Sequence, residues 1–366
     1  MLIRGINMYL LNKYYWLKMK LHWKIYKVIE PDCYKRYPSY KHYIKVGQIK
    51  NPDRSNFYFT EKPREAGNIG HTMNNWIAGY VFAGKFHCKY AYYPFQDTYV
   101  PYIVNKWDKV LGFDYREVKV QDLLKKGFKK IQLPKFDENN AEEVNRIQKI
   151  IDAYSGKKVV FFAEQDQFLK NQYEASEAIK EKYLKCESRK NDRLIYDPNC
   201  ISVAVHIRRT VVADTGIKNE DAAARALRWT GVEYFQRIME QVDQCLGQNL
   251  SGDTKIKFYI FTTGDKEEFH GLIDAVKSEV IFCNTLDEYT SFTNMVKADI
   301  LVTSKSSFSY NPALLSSGIK IVPSDFWHGY PDDEKWITAD SKGEISNNNL
   351  AFIKSFVDNR YRGVKC

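Results

Sequence analysis

The chain has 366 residues, 44% of them hydrophobic, with only 19 glycines and 11 prolines. That is enough for two domains with real cores, and it argues against long disorder. A formal net charge of +10 points to an anionic partner: nucleic acid, nucleotide, polyanionic glycan or membrane surface. The seven cysteines (Cys33, Cys88, Cys186, Cys200, Cys245, Cys283 and Cys366) form no C-x-x-C pair, which argues against a zinc site and a disulfide framework; their odd number fits a reducing compartment.

From Met8 to Ile29 the chain is rich in Tyr, Trp and Leu, but Lys13, Lys18, Lys20, Lys24 and Lys27 interrupt it. No apolar run approaches the roughly 18–20 residues of a spanning helix, and no uncharged signal core is visible. Two readings stand: a basic aromatic segment lying on an anionic membrane surface, or an opening strand or helix. The period-two alternation of Leu17-Lys-Met-Lys-Leu-His-Trp23 favours the second.

Phe57-Tyr-Phe-Thr60 reads as a short strand and Gly67-Asn-Ile-Gly70 as a tight turn. The next segment, His71 to Ala83, puts Met73, Trp76, Ile77, Tyr80 and Val81 on one helical face. A strand over Cys88–Tyr93 and a helix near Tyr102–Leu111 follow, then a helix at Ala141–Ala153 feeding the buried strand Lys158–Phe162. The polar stretch from Gln165 to Asn199 reads as a helical bridge between domains.

The second half alternates more cleanly. Strands are expected at Ile201–Val205, Lys257–Thr262, Glu279–Phe282, Asp299–Val302 and Ile319–Val322. Helices are expected at Gly231–Leu246, Lys266–Val276, Leu286–Lys297, Tyr310–Ser317 and Ala351–Asn359. Short strands alternating with single helices predict a parallel, doubly wound α/β sheet.

Parallel strands share a carboxyl end, so three loops are expected at one sheet edge: His206–Asp214, Thr262–Asp265 and Thr303–Asn311. The first begins His206-Ile-Arg-Arg-Thr210, and Arg offers a planar fork of donors suited to phosphate oxygens. The third, Thr303-Ser-Lys-Ser-Ser-Phe-Ser-Tyr-Asn311, opens a helix whose unpaired amides suit an anion, with serine hydroxyls and Lys305 as further donors. Ordinary N-capping is the alternative for its serines. Thr263 and Asp265 on the second loop join the donor-side candidates. Asp214, Glu220 and Asp221 are candidate general bases, Asp214 first. No G-x-x-x-x-G-K-[ST] loop is present, against the commonest phosphate-transferring form.

Taken together, Val205-His-Ile-Arg-Arg-Thr210, Ala298-Asp-Ile-Leu-Val-Thr-Ser-Lys-Ser-Ser-Phe-Ser309 and Gly67-Asn-Ile-Gly-His71 resemble the fucosyltransferase superfamily of α-1,2-, α-1,6- and protein O-fucosyltransferases. The resemblance covers about the last 170 residues, and the first half only at its glycine loop. It implies α/β, GT-B architecture: two Rossmann-like domains facing a cleft. The domains expected are an acceptor-side domain with bridging helix over 1–185, a donor domain over 186–335, and a helical tail over 336–366 packing back on the first.

The resemblance also implies inverting, metal-independent transfer of a sugar from a nucleotide diphosphate, typically GDP-fucose, with no cofactor. Arg208 and Arg209 would bind the diphosphate with His206 nearby, and Ser306, Ser307, Phe308 and Ser309 would meet the β-phosphate. Asn68, Gly70 and His71 would line the acceptor side of the cleft. The chain departs from the pattern at Val211, where many relatives carry an acid, and at His71, where many carry Asn or Gln. The expected protein is thus a cytoplasmic glycosyltransferase acting on an oligosaccharide or lipid-linked glycan, with peripheral membrane contact as the alternative reading of its N-terminus. The alternatives are the same fold with another nucleotide sugar, or a non-catalytic basic protein that binds nucleic acid.

Overall fold

The computed structural model describes residues 33–61, 69–95, 106–163, 169–209, 229–247, 255–263 and 266–361. In the first half, helix α1 (Pro38–Val46) precedes β1 (Phe57–Glu61), α2 (Ile69–Lys85), β2 (Lys89–Tyr92), α3 (Lys106–Leu111) and β3 (Val118–Lys119). Helix α4 (Val120–Lys125), β4 (Lys129–Gln132), α5 (Ala141–Asp152) and β5 (Val159–Ala163) follow. The second half runs α6 (Ser176–Lys185), β6 (Cys200–Ile207), α7 (Val232–Gly247), β7 (Lys255–Thr262), α8 (His270–Asp274) and β8 (Glu279–Phe282). It ends with α9 (Glu288–Lys297), β9 (Ile300–Val302), α10 (Ser307–Leu315), β10 (Ile319–Pro323), β11 (Trp336–Ala339) and α11 (Asn347–Tyr361).

These strands make two sheets, one of five in the order β3-β2-β1-β5-β4 and one of six in the order β11-β10-β9-β6-β7-β8. The chain divides into two compact units. One comprises Met1–Lys62, Phe82–Ala91 and Val120–Gln165, the other Pro63–Val81, Tyr92–Lys119 and Asp166–Cys366.

In the first unit, β1 pairs in parallel with β5 from Phe57↔Val159 to Glu61↔Ala163. All five β5 residues are buried, as expected of a parallel strand covered on both faces. Phe57 and Phe161 meet edge to face at 5.3 Å between ring centres. Asn140 caps α5 by accepting from the amides of Glu142 and Glu143. The Arg54 guanidinium grips the Asp152 carboxylate with two bonds, of 2.8 and 3.0 Å.

In the second unit β6 is the central strand, and its period-two alternation divides the core. Ile201, Val203, Val205 and Ile207 face Phe235, Ile238, Met239 and Val242 of α7. Ala204 faces the other way, toward Tyr259, Met295, Leu301 and Ala313. Helix α11 lays Ile353 and Val357 into the first of these cores. Between β6 and β9, the Asp299 carboxylate accepts from the Ser202 amide and hydroxyl at 2.9 and 2.7 Å.

Two boundaries differ from expectation in a way that matters for the site. Strand β6 continues through His206 and Ile207, which register against Phe261 and Thr262 of β7, so His206 belongs to the strand and not to the loop. Helix α10 starts at Ser307, three residues before the expected Tyr310, because Ser306 caps it through the Phe308 amide. Strands β3, β4 and β11, at sheet edges, and helices α1 and α4 were not expected from sequence.

Candidate functional site

In the six-stranded sheet the strand order reverses beside β6: β7 and β8 lie on one side, β9, β10 and β11 on the other. Such a reversal opens a crevice at the carboxyl ends of the two strands flanking it, here β6 and β9. His206 is the last residue but one of β6, and its Nδ1 stands 2.8 Å from Ser304 Oγ, just beyond β9. The imidazole is buried and packs 5.7 Å from the Phe308 ring. On the β7 side, Thr263 Oγ1 donates to the Arg209 carbonyl at 3.4 Å.

Burial, aided by the adjacent Arg208 charge, pushes the His206 pKa from 6.5 down to about 3. Between those values the unfolded chain takes up a proton that the folded chain refuses, so this residue makes stability fall as the pH drops from about 6.5 toward 3. His206→Asn should therefore flatten the acid limb of urea-unfolding midpoints measured from pH 7 to pH 4. An unchanged slope would show that the imidazole titrates normally.

The two arginines have different surroundings. Arg208 is half-buried, and its charge reaches His206. The Arg209 side chain is only 7% exposed and its Nε is ion-paired with Glu268. Its Nη1 donates to the carbonyls of Arg208 and Thr230, and its guanidinium lies over the rings of Trp229 and Phe269 at 5.3 and 5.1 Å. Glu268 and Trp229 were not singled out from sequence; Glu268 lies 59 residues from its partner in the chain.

The serines are likewise distinct. Ser306 Oγ accepts from the Phe308 amide, while Ser309 is fully buried and donates to the carbonyls of Ser304 and Ser306. Ser307 Oγ accepts from Asn74 Nδ2 at 2.9 Å. Lys305 is ion-paired with Asp325, beyond the end of β10.

The start of α2 meets the start of α10. Asn311 Nδ2 donates to the Gly70 carbonyl at 3.1 Å. A Cβ added at Gly70 would stand 3.0 Å from both the Phe308 nitrogen and Ser307 Cβ, so the two helix ends would have to part by a few tenths of an ångström to admit it. Gly70→Ala should cost about 1–3 kcal/mol, as overpacking does, visible as a melting point lowered by a few degrees. An unchanged melting temperature would mean that the two ends part freely. His71 is half-buried in the first turn of α2. Asn68, Asp265 and the candidate bases Asp214, Glu220 and Asp221 lie outside the described residues.

In the first sheet the order reverses between β1 and β5. Glu61 closes β1 there, buried, accepting from Tyr90 OH at 2.7 Å. Burial pushes its carboxyl up to about 8, so it holds its proton at neutral pH. In the sequence a Glu directly after Phe57-Tyr-Phe-Thr60 reads as the first residue of a loop, so no local pattern marks it. Among the described residues no group of three or more His, Cys, Asp or Glu is placed to hold a metal ion. Nor is any described helix long and apolar enough to cross a membrane.

The architecture is therefore α/β, with two sheets whose described pairings are parallel and an Arg- and Ser-bearing carboxyl edge in the second. Solved structures similar to this chain include POFUT1 in complex with GDP-fucose, at a TM-score of 0.40 and 14% identity over 74% of this chain and 97% of that one. The fucosyltransferase NodZ from Bradyrhizobium aligns at 0.37 and 12%, covering 73% of this chain and 93% of its own. A mutant of Arabidopsis thaliana FUT1 in complex with GDP aligns at 0.37 and 10%, covering 83% and 78%. No family profile matches the chain, and no curated protein matches it in sequence.

Proposed function

We propose that this protein is a glycosyltransferase moving a sugar from a nucleotide diphosphate donor, with GDP-fucose the leading candidate, to a hydroxyl of an oligosaccharide or lipid-linked glycan. The observation that carries the reading is the meeting of His206, Arg208 and the serine-rich start of α10 where the strand order of the second sheet reverses.

In this reading the guanidinium of Arg208 and the amide end of α10 take the donor's diphosphate, with Ser306 and Ser307 beside it. Arg209, tied to Glu268, holds the turn that presents Arg208. The acceptor oxygen attacks the anomeric carbon as the bond to the β-phosphate oxygen breaks, inverting the configuration. Asp214 takes the acceptor's proton, and the negative charge growing on the departing diphosphate is met by Arg208 and the helix end. Fixed positive groups at the leaving phosphate fill the role a divalent cation has elsewhere, so the reaction is metal-independent. The scattered cysteines and the basic aromatic N-terminus support a cytoplasmic enzyme that touches a membrane surface.

A thermal-shift panel of GDP, UDP, CMP and dTDP with their sugars tests this directly, because a ligand that binds the native state raises the melting temperature according to its affinity. GDP species should give the largest shift, and sugar transfer should survive exhaustive chelation with EDTA. Loss of turnover restored by magnesium or manganese would overturn metal independence. Steeply salt-dependent binding of oligonucleotides, with no shift from any nucleotide sugar, would favour the nucleic-acid alternative.

A further inference from the structure

Asn74, buried in α2, presents its side-chain nitrogen to two acceptors, Ser307 Oγ at 2.9 Å and His328 Nε2 at 2.9 Å. Across the ring, His328 Nδ1 stands 3.1 Å from the Leu169 carbonyl. A carbonyl only accepts, so the hydrogen of the neutral ring sits on Nδ1 and Nε2 offers a lone pair. That lone pair attracts the amide nitrogen of Asn74 and repels its oxygen, which fixes the orientation of the amide. Burial keeps His328 neutral, with a pKa pushed down to about 4, so the arrangement persists at physiological pH.

The consequence falls on Ser307. Its oxygen accepts the second amide hydrogen of Asn74, so its own hydrogen is turned elsewhere; among the described residues it reaches no protein acceptor. Asn74 Oδ1 is left buried without a partner, a cost that the fixed amide orientation imposes. Ser309 offers no equivalent, because its hydroxyl is spent on the carbonyls of Ser304 and Ser306.

We propose that Asn74 and His328 are positioning residues that hold the Ser307 hydroxyl as a hydrogen-bond donor for a phosphate oxygen at the start of α10. The proposal rests on the phosphate reading of this edge given above.

Calorimetric titration with GDP tests it, using the full chain, Ser307→Ala, Asn74→Leu and the double variant. Ser307→Ala should weaken GDP by about tenfold to a hundredfold, the worth of a hydrogen bond to a charged group. Asn74→Leu, which keeps the branched shape and removes both hydrogen bonds, should weaken it comparably. The double variant should bind no more weakly than either single one, because both changes remove the same donor. A merely structural Asn74 would instead give additive losses, and that result overturns the proposal. Ser307→Thr, which keeps the hydroxyl, should retain the affinity that Ser307→Ala loses. If Asn74→Leu does not fold, the smaller change Asn74→Ala takes its place in the same cycle, and full GDP affinity in either Asn74→Ala or Ser307→Ala overturns the relay while leaving the phosphate reading intact. Should the unaltered protein bind none of GDP, UDP, CMP and dTDP, the phosphate reading fails and the relay with it.

Discussion

Replacing Arg208 by alanine should weaken GDP binding by about one to two decades, whatever it does to the melting temperature of the free protein. Arg208 is the first residue beyond β6, half-buried, and its charge reaches the imidazole at the strand end. From there a guanidinium can place two parallel N–H groups on one phosphate. Lysine at the same position should rescue poorly, since it restores the charge but not the fork. Calorimetry with GDP, alongside a thermal melt, separates the two effects. A folded Arg208→Ala protein with undiminished affinity and turnover would remove Arg208 from the proposed mechanism.

Arg209 should behave differently, and the contrast is as informative as either result. Its guanidinium is buried between Trp229 and Phe269 and ion-paired with Glu268, and it also donates to two carbonyls. Alanine there strips a charged partner from Glu268, leaves those carbonyls short of a donor and opens a void against two rings. With Glu268 partly in water the ion pair itself adds little, but losing the carbonyl bonds and ring contacts of Arg209 should cost about 1–3 kcal/mol and lower the urea midpoint clearly. Glu268, 40% exposed on its side chain, can turn to water, so Glu268→Gln should cost less than Arg209→Ala. An Arg209→Ala midpoint equal to the parent's would show that these contacts carry no stability and would reopen a direct role in ligand binding.

The sequence made the two arginines look equivalent because the partner that separates them is far away in the chain. The strand Ile201–Val205 was legible since a parallel strand covered on both faces reads as an unbroken apolar run. Its extension through His206 was hidden, because a buried polar residue at a strand end looks the same as the first residue of a loop. Strand β4, Lys129-Lys-Ile-Gln132, carries two lysines on the edge of its sheet and shows no apolar alternation to detect. Asn74 and His328 were missed for a related reason: they meet across 254 residues of sequence, and no local period records such a contact. One sign was available. Asn74 and Asn75 interrupt an otherwise apolar helix, and two fully buried amides there call for partners.

The place of α11 in the fold bears on how the protein is made. Ile353 and Val357 share a core with Ile201 and Val203 of β6. Arg360 pairs with Asp299 at 3.0 Å, and the Leu350 carbonyl accepts from Cys245 Sγ. The central strand of that sheet therefore leaves the ribosome roughly 150 residues before the helix that completes its packing. At about 5–20 residues per second, β6 and α7 wait on the order of ten seconds or more with part of their apolar surface uncovered. During that interval the nascent chain depends on chaperones or on provisional collapse. Slow codons between Ile207 and Asn347 would lengthen the exposure and lower the yield of native protein without changing a single residue of it.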